Sequence, residues 1–247
     1  MPRAASWLAY GNGRSYGDSC LNDGGVVIDM RGLDRFIRFD ATSGRLTCEG
    51  GVLLADILRL TVPRGWFLPV TPGTQFVTVG GAIANDVHGK NHHVRGTFGR
   101  HVLALELVRS DGTRHVCSGQ SNGELFRATV GGLGLTGVIE WAEIQLIPIA
   151  GSTIDAESIK FDSLDDFFAL SRESDRAFEY TVAWIDCLHR GRRGSRGHFF
   201  RGNHSKSANE ATGGPGEPRS LSMPLRSEEH TSELQSQVYI SRMPSSA

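Results

Sequence analysis

An α+β fold is predicted by three features of this sequence. Strand-like runs recur along residues 25–50 and 102–149, apolar residues at helical spacing fill residues 52–60, and glycines gather at a few sharp corners. Up to about residue 149 these features read as one α+β unit.

Residues 25–30, "GVVIDM", form a short β-branched apolar run after Asn-Asp-Gly and predict a buried strand. "DRFIRFD" and "RLTCEG" alternate as half-buried strands. "VLLADILRL" predicts an amphipathic helix that stops before Pro63 and Gly65, and "GWFLPVTPGT" then runs extended. A second helix is predicted over residues 78–87, "TVGGAIANDV", with Thr78 as N-cap and two glycines that let a group approach its start closely. A negative group is expected there. "VLALELVRSDGTRHVCS" is two alternating runs joined through Asp111-Gly112, a hairpin signal. A short helix follows at residues 122–127, and "ATVGGLGLTGVIEWAEIQLIPI" turns from a glycine-dense corner into a long strand.

Residues 155–162, 163–174 and 178–187 repeat strand, helix, strand, the entry to a second α+β domain that is left incomplete. Residues 191–225 are basic, then polar and Gly/Pro-rich, which predicts a flexible linker-like segment. Residues 226–247 resemble a translated adaptor and are set aside from fold reasoning. The domain expectation is therefore 1–150, 151–190, 191–225 and 226–247.

The bulk composition is that of a soluble protein with a real core: 39% of residues are hydrophobic and 21% charged. A formal net charge of −1 supplies no basic field for phosphates, which argues against a nucleic-acid partner. Cys20, Cys48, Cys117 and Cys187 form no C-x-x-C pair, so buried free thiols in a reducing compartment are expected. There is no apolar run of about 18 residues and no signal-peptide core after Met1, which predicts a cytoplasmic chain without a transmembrane segment.

"GNGRSYGD", residues 11–18, admits three readings. As the G-x-S-x-G elbow of a hydrolase it would need a helix directly after Ser15, and "DSCLNDGG" breaks one. The dinucleotide fingerprint needs that same helix and an acidic residue about 20 positions on, where Asp29 comes too early. The third reading is a backbone nest for a diphosphate. Two further glycine-dense turns, in "TPGTQFVTVGGAIANDVHGKNHH" and "ATVGGLGLTGVI", suit a long ligand with a diphosphate and two ring systems.

On "GRSYGD", "VIDM", "VTVGGAIA", "HGKNHH" and "ATVGG.GLTG", over residues 11–186, the chain resembles FAD-linked oxidases of the vanillyl-alcohol oxidase type. That resemblance implies a PCMH-type FAD-binding domain followed by a substrate domain. It implies that Gly11, Asn12, Gly13, Arg14, Ser15, Tyr16 and Gly17 wrap the FAD diphosphate. It sets Gly73, Thr78, Val79, Gly80 and Gly81 along the cofactor, Asn85 and His88 near the flavin, and the backbone of Ile139 at the adenine end. Relatives that attach FAD covalently carry histidine where Arg14 stands, so non-covalent binding is expected.

By the same resemblance His88 and Lys90 are the catalytic candidates, and Lys90 and Trp184 meet the substrate. The substrate expected is a sugar-type secondary alcohol, lipid-linked in the branch concerned with cell wall arabinan precursors, with a reductase as partner. A cation near the flavin N1–C2=O edge stabilises the charge that grows as hydride arrives. The resemblance also implies a protein longer at both ends.

The residues leave alternatives open. His88, His92 and His93 beside Asp86 could be a metal site, or the Lys-Asn-His-His turn a solvated loop. Trp184 could pack in a core. The chain could bind FAD without catalysing anything.

Overall fold

The computed structural model describes residues 6–191 and 194–206. In chain order the elements are β1 (Trp7–Tyr10), β2 (Val26–Asp29), β3 (Phe36–Asp40), β4 (Arg45–Glu49), α1 (Leu54–Thr61), β5 (Trp66–Phe67), α2 (Val79–Ala84), α3 (His92–Arg95) and β6 (Val102–Val108). They continue with β7 (Arg114–Ser118), α4 (Gly123–Thr129), β8 (Val138–Gln145), β9 (Ile147–Pro148), β10 (Ile154–Phe161), α5 (Leu164–Ser174), β11 (Tyr180–Gly191) and β12 (Gly194–His204).

An antiparallel sheet ordered β3-β4-β8-β6-β7 organises the first unit. Its inner face is apolar: Leu46, Cys48, Leu105, Leu107, Ala142 and Ile144 are buried. Helices α1 and α2 cover that face with Leu54, Ile57, Val79, Ala82 and Ile83, and Phe98 is fully buried in the same cluster. Burying side chains of this size contributes about 1.5–3 kcal/mol each. Packing therefore holds α2, because a helix of six residues with two glycines does not form alone. Burial pushes the Cys48 thiol up to about 12, so it behaves as an apolar side chain.

Several expectations are corrected. Strand β1, for which the sequence predicts no element, pairs in parallel with β2. The second helix stops at Ala84 instead of reaching Val87. Asn85 turns its Nδ2 back to donate to the Gly81 carbonyl at 2.9 Å, and Asp86 adopts φ 43°, which no helix continues through. Strand β8 is not a simple alternation, since Glu106 faces Trp141 while Leu107 faces Ile139, leaving Glu140 as a bulge residue. The bulge lets Ile139 and Ala142 share the buried face.

The second unit is a three-stranded antiparallel sheet ordered β10-β12-β11. Helix α5 begins at Ser163, whose Oγ accepts the Asp166 N–H at 3.1 Å, and its Phe167 ring lies 5.7 Å from Phe161 and 6.0 Å from Phe199. Strand β12 occupies the start of the segment expected to be linker-like from residue 191, and it is the central strand. Its charge is neutralised within the unit: Arg201 donates to Glu157 at 2.5 Å and Glu173 at 2.9 Å and lies 4.5 Å from the Phe178 ring centroid. Residues 1–5 and 207–247, including the adaptor-like stretch, lie outside the described residues. Among the described residues no helix is long and apolar enough to cross a membrane.

Candidate functional site

Three glycine corners meet around α2. The loop after β1 comes first: Gly11 packs so closely on Thr78 that a Cβ there would overlap Thr78 Oγ1. Next to it, Asn12 Nδ2 donates to the Phe76 carbonyl at 2.9 Å. Both contacts fasten this loop to the segment leading into α2, the segment that also carries exposed Gly73. At the other end of α2 the corner of residues 131–137 is tied by Gly131 N–H to Ile83 O at 3.0 Å and Leu133 N–H to Ala84 O at 2.8 Å.

The third corner, Gly50-Gly51, is not among those predicted from the sequence, although the doublet directly after β4 is its signal. Gly80 donates to the Gly50 carbonyl at 2.7 Å, and Gly50 in turn lies against the Ile139 carbonyl. Ile139 thus reaches the same assembly from β8, buried beneath it.

The donors at these corners differ in availability. At the start of α2, Val79 N–H donates to Val52 O at 2.9 Å, Gly80 N–H to Gly50 O, and Gly81 N–H to Thr78 Oγ1 at 3.1 Å. The negative group expected at this helix start therefore finds no free donor there. Thr78 and Val79 are buried, so they shape the site from below, while Gly80 and Gly81 are half-buried.

By contrast, the amides of residues 12–17 donate to no acceptor among the described residues. Gly13 and Gly17 hold φ 59° and 60°, a left-handed backbone geometry of the kind that anion-binding nests use. Arg14 and Tyr16 are exposed on this loop and Ser15 is half-buried. No helix follows Ser15, since turns and bends run on toward β2, so both the hydrolase elbow and the dinucleotide fingerprint lack their helix. The residues present fit a diphosphate.

Beyond α2, Asn85 and His88 are exposed, and His88 bridges Thr97. The turn carrying exposed Lys90 is pinned: Asn91 is buried, its Nδ2 donates to Pro69 O at 2.9 Å, and Lys90 O accepts from Thr181 N–H of β11 at 3.0 Å. It is not a loosely solvated loop. Asp86 Oδ1 accepts from Gly99 N–H at 2.8 Å, which takes it from the histidines, and His93 Nε2 donates to the Phe178 carbonyl at 3.1 Å. No group of three or more metal-ligating side chains is gathered among the described residues. Trp184 is 66% exposed on β11 and packs in no core among the described residues.

A concavity of about 380 Å³ lined by Arg35, Phe36, Ile37, Glu49, Glu140 and Trp141 opens elsewhere and contains none of the corner residues.

Two half-buried imidazoles are held away from full solvent. His101 Nε2 donates to the Arg95 carbonyl at 3.0 Å, and His204 Nε2 lies 3.0 Å from the Tyr180 hydroxyl. Burial is the main cause that lowers both their pKa values. The unfolded chain, with histidine near 6.5, then binds more protons than the folded one as pH falls, so this stability is present above about 6.5 and lost below it. The thermal midpoint is expected to drop between pH 7.5 and 5.5. His101→Gln keeps the donor and should shrink that drop; an identical drop in the variant would contradict the assignment.

The class defined by this fold and site is a flavin-nucleotide-binding α+β domain, and residues 3–118 match the family model of the FAD binding domain. Over these residues the chain is similar to FAD-linked oxidoreductases, and the cofactor this match shows is FAD. Among curated relatives it is 40% identical over 201 residues to decaprenylphosphoryl-beta-D-ribose oxidase of Mycolicibacterium smegmatis, covering 81% of this chain and 44% of that protein. It is 34% identical over 140 residues to L-gulonolactone oxidase of Mus musculus (56% of this chain, 31% of that protein). It is also 34% identical over 142 residues to cytokinin dehydrogenase 7 of Oryza sativa subsp. japonica (56% and 27%). The chain thus spans less than half the length of these relatives.

Proposed function

We propose that this protein is an oxidoreductase that uses non-covalently held FAD to oxidise a secondary alcohol of a sugar-type, lipid-linked substrate to a ketone. The observation that carries this reading is the partner-free amide nest of residues 12–17, fastened at Asn12 and Gly11 to the segment that leads through α2 to His88 and Lys90. The similarity to a decaprenylphosphoryl-ribose oxidase supports the substrate class. When bound, FAD supplies a hydride acceptor at flavin N5.

The chain's own residues do the rest. The nest amides and the Arg14 guanidinium hold the diphosphate by charge-assisted hydrogen bonds. Arg14 in place of histidine leaves no imidazole at this position for a covalent bond. The Lys90 ammonium meets an oxygen of the substrate, and His88 stands beside it at the flavin end. The exposed Trp184 indole forms an apolar wall that excludes water from the reacting carbon. A reductase that consumes the ketone is the partner such chemistry implies.

The test is to load the chain with FAD and expose it, without oxygen, to sugar alcohols with and without a lipid phosphate. Bleaching of the flavin band with formation of a ketone is expected, faster with the lipid phosphate. A chain that binds FAD yet stays yellow throughout the series is a cofactor binder and not an oxidase.

A further inference from the structure

The turn that carries His88 and Lys90 belongs to the first unit, yet it is held from behind by the second. Glu179, immediately before β11, is the centre of that hold. Arg95 Nε donates to Glu179 Oε1 at 2.8 Å and Arg95 Nη2 to Oε2 at 3.2 Å, a two-pronged pair whose carboxylate is mostly buried, its side chain 17% exposed. Asn91 Nδ2 reaches the same Oε1 at 3.3 Å. Glu179 is itself fixed by its backbone N–H, which donates to Asn203 Oδ1 of β12 at 2.7 Å.

Two backbone contacts lie on either side of this pair. His93 Nε2 donates to Phe178 O, and Thr181 N–H donates to Lys90 O at 3.0 Å. Thr181 lies three residues before Trp184 on the same strand, about 10 Å along it at ordinary strand rise. The backbone of Lys90 and the indole of Trp184 are therefore registered to one another through β11. Burial raises the Glu179 pKa, but the Arg95 guanidinium and the Asn91 amide outweigh it, so the carboxyl is held below the usual range and the pair stays charged.

We propose that Glu179 is a positioning residue which, through Arg95 and Asn91, sets the spacing between Lys90 and Trp184 and thereby the placement of the alcohol. This rests on the reading of Lys90 and Trp184 as substrate-facing. Glu179 acts through the turn and touches no substrate. A small displacement of a reacting group costs rate while leaving cofactor affinity intact, because the nest and corners that hold FAD lie around α2.

Two variants of the FAD-loaded full chain test this: Glu179→Gln, which keeps shape and removes charge, and Arg95→Lys, which keeps charge and removes the fork. Amide hydrogen exchange at Thr181 is expected to rise about tenfold in both, with exchange in β6 and β8 unchanged and FAD affinity within about twofold of the parent. The limiting rate of flavin reduction by the alcohol is expected to fall about tenfold with half-saturation changed less.

Unaltered exchange at Thr181 in both variants overturns the proposal. So does raised exchange with an unaltered limiting rate, or a loss of FAD affinity that accounts for the whole rate change. If no alcohol reduces the parent's flavin, the proposed oxidation fails while the exchange result still decides whether Glu179 holds the turn.

Discussion

Gly51→Ala is expected to cost the fold about 3 kcal/mol or more, a large part of the stability of a single domain. A Cβ at residue 51 would overlap the Met30 carbonyl oxygen and lie 2.6 Å from the Leu33 carbonyl oxygen. Both obstacles are backbone and neither can swing aside. Met30 N–H is bonded to Tyr10 O at the end of the β1–β2 pair, and Gly51 N–H itself donates to Leu33 O at 2.8 Å. Relief would require moving the β1–β2 pair, and with it the start of the nest loop. Gly32→Ala is the control, since a Cβ there meets nothing within 4 Å. Denaturant midpoints should separate the two variants, with the control within about 0.5 kcal/mol of the parent. A Gly51→Ala loss below about 1 kcal/mol would show that the corner yields more easily than its contacts imply.

Gly11→Val is expected to weaken FAD binding about 100-fold, close to 2.7 kcal/mol, while costing the fold much less. Its side chain would enter the space of Thr78 Oγ1, the atom that caps α2 by accepting Gly81 N–H. Either Thr78 leaves, which costs about 1 kcal/mol of cap, or the nest loop lifts off the segment leading into α2. Lifting the loop separates the donors proposed for the diphosphate from the turn carrying His88 and Lys90. The smaller pair Gly11→Ala and Thr78→Ala gives the cross-check. Removing the Thr78 hydroxyl makes room, so the double variant should bind FAD more tightly than Gly11→Ala alone, as contacting residues couple. Independent, additive losses from flavin titrations would mean the two residues do not meet.

Much of this architecture is legible in the residues, for reasons that differ by element. The hairpin of β6 and β7 follows from alternation interrupted by Asp-Gly, and Thr78 follows from its position before a run of small helical residues. Helix α1 is written in its apolar spacing. In these cases the local chain carries the whole instruction.

Where the instruction is tertiary, the sequence misleads. Helix α2 is short because Asn85 and Asp86 are used elsewhere, and its free amides vanish into Val52 and Gly50, which lie about thirty residues away along the chain. Strand β12 reads as a polar linker because the carboxylates that neutralise Arg201 come from β10 and α5. The candidate site shows the same division. The nest of residues 12–17 is visible as glycine spacing, whereas the hold of Glu179 on the Lys90 turn joins side chains 84 and 88 residues apart and leaves no local trace.

In the proposed reading the separated glycine corners hold one FAD between them. Titrating the purified chain with FAD and measuring flavin released by acid against protein decides this. Close to one flavin per chain is expected, fully released on denaturation, with a marked loss of uptake in Gly11→Val. A folded chain that takes up no FAD does not bind the cofactor at these corners, and one that retains it after denaturation binds it covalently.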